Sequence, residues 1–185
     1  GKVGLRDEDL FSSVWKSAKN RWLWLAVNLG TAFFASRVIG LFEDSIEQLV
    51  ALAALMPIVA AIAGNSGNQT VTLIVRALAF EEINKNNAKG LLRKELAIAL
   101  VNGVLWGSVA GFFAWLLYGN IALGLVMLSA TLLNLIVGAA VGMLVPLFLQ
   151  KMGRDPAIGS SVLLTFSTDS MGFLIFLGMA TLFLV

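Results

Sequence analysis

Asp169 is the residue whose type and position demand explanation. It lies in Leu164-Thr165-Phe166-Ser167-Thr168-Asp169-Ser170-Met171-Gly172, deep inside an apolar stretch. An ionised carboxylate at bilayer depth costs at least ~2.5 to 3.5 kcal/mol on insertion scales, so it must face water or a helix-bundle interior and have a partner. That partner is either a cation or an arginine. Thr165, Asp169 and Gly172 recur at i, i+4 and i+7, which puts a hydroxyl and a backbone-accessible position on the carboxylate's own helical face. A second polar stripe, Asn65, Asn68, Gln69, Thr72 and Arg76, falls at i, i+3, i+4, i+7 and i+11 of another apolar helix. Such a stripe marks a surface covered by water or by other helices.

The chain has no cysteine and no histidine. This excludes disulfides, thiolate nucleophiles, imidazole bases and the usual ligands of zinc, copper or iron. Carboxylate, amide, hydroxyl and backbone carbonyl oxygens instead favour Mg²⁺, Ca²⁺ or Mn²⁺. One carboxylate is sparse for a dehydrated divalent ion, and magnesium tolerates this best because it keeps several of its waters. A two-fold axis beside the Asp169 helix brings two such carboxylates to one ion. The structural alternative is a buried ion pair of Asp169 with Arg76 or Arg37, the amides merely fixing helix packing. Enzymatic readings fare worse. Gly64-Asn65-Ser66-Gly67 matches a short pattern around intramembrane serine nucleophiles, but no histidine is present to act as base. An intramembrane aspartyl protease needs a second embedded aspartate, which the chain lacks.

The elements that position these residues follow from hydropathy. Hydrophobic residues make up 58% of the chain and charged residues 13%, with a mean hydropathy of +0.88, far from the balance of soluble domains. Spans are expected at 22–42, 49–79, 92–118, 121–149 and 158–184. The fold class is therefore an all-α integral membrane protein with five transmembrane helices per subunit. The second span is expected to be interrupted by the Gly/Asn-rich segment Gly64-Asn65-Ser66-Gly67-Asn68-Gln69, and Gly103, Gly107, Gly111 and Asn134, Gly138, Gly142 read as close-packing stripes. Eleven of the 13 basic residues precede the first span or lie in the second and fourth loops and the first residues of the span that follows, while the first and third loops have none. The positive-inside rule then puts the N-terminus in the cytoplasm of a multi-pass protein of the cell membrane. The net charge of +2 reflects this sidedness and implies no nucleic-acid partner. Residues 1–20 read as a cytoplasmic interfacial segment, and 21–185 as one transmembrane domain.

Residues 57–76, Pro-Ile-Val-Ala-Ala-Ile-Ala-Gly-Asn-Ser-Gly-Asn-Gln-Thr-Val-Thr-Leu-Ile-Val-Arg, resemble the second-span signature of the MgtE family of magnesium channels and transporters. Arg76-Ala77-Leu78-Ala79, Lys94-Glu95, Asp155-Pro156-Ala157 and Thr168-Asp169-Ser170-Met171-Gly172 resemble further motifs of that family, in the same order. The resemblance implies a homodimer with the pore at the dimer axis, between the second and fifth spans, passing largely hydrated Mg²⁺. It also implies that Asp169 is the pore aspartate, Asn68 a pore-lining amide and Thr165 a neighbour of the ion, so the candidate metal positions are Asp169, Thr165, Asn68, Asn65 and Gly64. Where the family commonly carries Asn-Pro early in the fifth span, this sequence has Ser161-Val162. The cytoplasmic N-domain and paired CBS domains that precede the family's first span have no counterpart in these residues. Coupling to Na⁺ or H⁺, as in related solute carriers, is the alternative mode of transport that the resemblance leaves open.

Overall fold

A computed structural model of the chain describes residues 10–185. Six helices follow in order: α1 (Val14–Gly40), α2 (Glu43–Gln48), α3 (Ala51–Ala79), α4 (Ala88–Tyr118), α5 (Ile121–Lys151) and α6 (Pro156–Phe183). All but the short α2 are long and apolar enough to cross a membrane, and at 27 to 31 residues they overrun a ~30 Å hydrocarbon core by a few turns. The chain is a multi-pass membrane protein.

Local chemistry sets the helix ends. Ser13 caps α1 by accepting from the Lys16 amide at 3.2 Å. Asn120 caps α5 through the Ala122 and Leu123 amides. Asp155 caps α6, where Pro156 occupies the first turn and forfeits no helical bond. Gly119, with φ 64°, ends α4 in the left-handed conformation that glycine adopts without penalty. Of the interfacial segment expected at 1–20, residues 1–9 lie outside the described residues, and residues 14–20 form the first turns of α1.

The expected interruption of the second span is corrected here. α3 runs unbroken through residues 64–69, so this segment interrupts the apolar composition but not the backbone. Its glycines serve close approach instead. A Cβ on Gly67 would stand 2.6 Å from Leu164 of α6 and 3.0 Å from the Gly138 carbonyl oxygen of α5. Packing on two sides offsets the low helix propensity of these residues.

α5 is the hub, packed against α3, α4 and α6, whereas α1 packs chiefly on α6 and α3 barely touches α4. The glycine stripes are the packing surfaces expected of them. A Cβ on Gly111 would meet the Gly124 carbonyl oxygen at 2.5 Å, and one on Gly142 the Gly67 oxygen at 2.7 Å. The apolar core gathers Leu52, Val59, Leu123, Met127, Phe176 and Leu177, all completely buried, between α3, α5 and α6 at the end of the bundle that carries α2. There the Ser45 and Thr181 hydroxyls, 2.7 Å apart, tie α2 to the end of α6.

Candidate functional site

Asp169 occupies the midpoint of α6, about 20 Å of helix from either end. The ridge Leu164, Thr168, Gly172 and Phe176 on the same helix is buried against α3 and α5. Asp169 and Thr165 stand beside that ridge and are half-buried. On their other flank α1 leans on α6, with the Phe34 and Phe166 rings edge to face at 5.3 Å. Since α1 makes no substantial contact with α3, α6 floors a groove between those two helices, and Asp169 and Thr165 belong to its floor.

α3 and α6 run antiparallel, and their close contacts fix the register. A Cβ on Gly172 would meet Ala60 at 3.7 Å, and one on Gly64 the Thr168 hydroxyl at 3.6 Å. One turn further, the Ser161 hydroxyl lies 3.4 Å from Asn68 Oδ1. Asp169 is therefore level with Ala63 and Gly64, while Thr165 is level with Gly67 and Asn68. Of the expected positions, Gly64, Asn68, Thr165 and Asp169 all meet at the α3–α6 seam. Asn65 does not join them. It is turned about 100° around α3 from Gly64 and, with Gln69, lines a crevice toward α4.

Among the described residues the Asp169 carboxylate makes no hydrogen bond or ion pair. Arg76, the alternative partner, lies thirteen residues beyond Ala63 along α3, hence about 20 Å from the level of Asp169. A two-fold axis along the membrane normal preserves levels, so an Arg76 from a second copy is equally far. Arg37 turns the other way, its guanidinium carbon 4.0 Å and Glu43 Oε1 3.8 Å from the Cβ position of Gly40. Neither arginine pairs with Asp169, so its carboxylate is free to hold a cation or water.

The hydroxyl chemistry suits the same purpose. Thr165 Oγ1 donates its proton to the Ser161 carbonyl at 3.0 Å, leaving its lone pairs as acceptors beside Asp169. Behind the groove, completely buried Asn134 of α5 donates through Nδ2 to the Val59 and Thr168 carbonyls at 3.2 and 3.0 Å. It thereby clamps α3 to the residue preceding Asp169. Asp169 is the sole Asp or Glu within α1, α3 and α6, so the groove that these helices form carries a single carboxylate per chain. Sequence reasoning missed Asn134, which it treated as part of a packing stripe. Ser161 it noted only as a departure from the family's Asn-Pro, although its place at i−4 from Thr165 was a signal that the two share a face.

Residues 56–179 match the family model for MgtE, a divalent cation transporter. The chain is 33% identical over 179 residues to the magnesium transporter MgtE of Bacillus subtilis, covering 97% of this chain and 40% of that protein. The proteins of the same name from Enterococcus faecalis and Thermus thermophilus are 28% and 31% identical over 184 and 167 residues. These alignments cover 100% and 87% of this chain and 41% and 36% of those proteins. The chain thus spans about two fifths of the length of the curated relatives it matches.

Proposed function

Because this chain belongs to the MgtE family of divalent cation transporters, we propose that it carries Mg²⁺ across the membrane along the groove floored by α6, past Asp169. As a member of a family of ion transporters it is not an enzyme. The observation that carries the reading is the Asp169 carboxylate: mid-span, half-buried and without a protein partner among the described residues.

One carboxylate with a threonine oxygen and an asparagine amide is too thin a shell for a bare divalent ion, so Mg²⁺ passes with most of its water. The groove is open on the side away from α5, and a second copy placed there across a two-fold axis brings two Asp169 side chains to one ion. Charge then balances at the axis. Asn68, Ser161 and Thr165 hydrogen-bond the water shell, and Gly64 keeps the seam narrow. The basic loops face the cytoplasm, with the N-terminus on the same side, and the electrochemical gradient drives flux.

Mg²⁺ uptake into proteoliposomes tests this. Asp169→Asn and Asp169→Ala are expected to lower uptake at least about tenfold, equivalent to ~1.4 kcal/mol on the barrier. Because the Asp169 carboxylate bonds to none of the described residues, both variants should keep the wild-type melting temperature. Wild-type flux in either variant would remove Asp169 from the pathway. Flux that stops when Na⁺ and proton gradients are collapsed would replace the channel with a coupled transporter.

A further inference from the structure

The flank of α3 opposite the groove carries a second polar surface. α3 touches α4 sparsely: Leu91 and Leu92 pack on the cluster of Ile74, Leu78 and Met143, and Thr70 Oγ1 donates to Glu95 Oε2 at 3.2 Å. The same hydroxyl lies 3.4 Å from the Ser66 carbonyl oxygen. Glu95 therefore stands beneath Ser66, about two turns inside the basic end of α4. Above this bond the helices leave an open crevice of about 270 Å³. Asn65, Ser66 and Gln69 of α3 and Asn102 and Trp106 of α4 line it, over Leu135 of α5. On α4, Glu95, Asn102 and Trp106 follow at i, i+7 and i+11, a single face.

The side-chain amides of Asn65, Gln69 and Asn102 hydrogen-bond to none of the described residues. Asn65 and Asn102 sit near the level of Asp169 and Gln69 about 9 Å nearer the basic end, still within the membrane-spanning length, where lipid offers no partner and unpaired amides are costly. Water must meet them, and a water-filled crevice with a carboxylate at one end attracts cations. Its acceptors are all hard oxygens, and at about 270 Å³ the crevice has room for several waters.

We propose that the crevice between α3 and α4 is a second binding site for a hydrated divalent cation, one per chain, with Glu95 as its charge and Asn65, Gln69 and Asn102 as acceptors for the ion's water. The site shares no side chain with the Asp169 groove and does not depend on the pore reading. Thr70 holds only Oε2 of Glu95, which leaves the second carboxylate oxygen available to the ion's water.

Mn²⁺ binding, followed by electron paramagnetic resonance on purified protein, tests the proposal in the Asp169→Asn background. One Mn²⁺ per chain should remain there and be displaced by Mg²⁺. Adding Glu95→Gln, which keeps an oxygen for the Thr70 hydroxyl but removes the charge, should abolish this binding. Adding Asn102→Leu instead should weaken it about tenfold or more, and this variant decides the matter should the glutamine variant fail to fold. Loss of all Mn²⁺ in Asp169→Asn alone, or undiminished binding with either second substitution, overturns the site.

Discussion

Asn134 shows how much one side chain controls at the centre of this protein. It is completely buried, and its two donated bonds join the backbones of α3 and α6 through α5. Gly172 permits this approach, since a Cβ there would lie 2.5 Å from Asn134 Nδ2. Interhelical hydrogen bonds in membranes contribute ~0.6 to 2 kcal/mol each. Asn134→Ala, which also leaves a void, should therefore destabilise the protein by about 2 to 4 kcal/mol, seen as a lower thermal midpoint in detergent. An unchanged midpoint would show that the clamp contributes nothing. Asp169 was legible from sequence because a carboxylate in hydrocarbon is costly wherever its neighbours stand. Asn134 was not, because an asparagine between small residues does not reveal which carbonyls it reaches.

At the scale of elements, backbone proximity sets the packing. On Gly138 a Cβ would lie 2.7 Å from the Ala63 carbonyl oxygen, an atom of a helix that cannot yield as a side-chain tip can. Gly138→Ala should force α3 and α5 apart and cost about 1 to 3 kcal/mol. Gly178 has nothing within 4 Å of its Cβ position, so Gly178→Ala should be neutral or stabilising by ~0.5 to 1 kcal/mol. Equal thermal midpoints for the two variants would refute the close-approach account. The span limits expected from hydropathy agree with the helices to within a few residues, apart from α1, which begins earlier, at Val14. The α2 turn was not foreseen, since its six residues carry too short a pattern to read. Nor was the continuity of α3 through Gly64 and Gly67, because composition registers missing side chains and not the neighbours that fill their place.

For the whole molecule, the open groove between α1 and α3 is where the proposed second copy belongs. The chain has no cysteine, so a single introduced thiol reports on that surface alone. Thr165→Cys, on the groove floor, should give a cross-linked dimer with a short bismaleimide in native membranes. Val104→Cys, 52% exposed on α4, should not. Cross-linking of neither variant, or of both equally, would count against a two-fold axis at the groove.

Sequence by itself determined the solvent, the number of spans, the placing of the basic loops together on one side and the depth of the one mid-span carboxylate. Hydropathy, charge and rise per residue are properties of each helix alone, so these needed no knowledge of neighbours. Tertiary structure decided how the helices face one another. A polar stripe gives directions only about its own axis. Contacts such as Gly64 with Thr168 and Gly138 with Ala63 set the register and azimuth between helices. Those contacts put Asn68 beside α6, send Asn65 toward α4, and leave Arg76 about 20 Å from the level of Asp169.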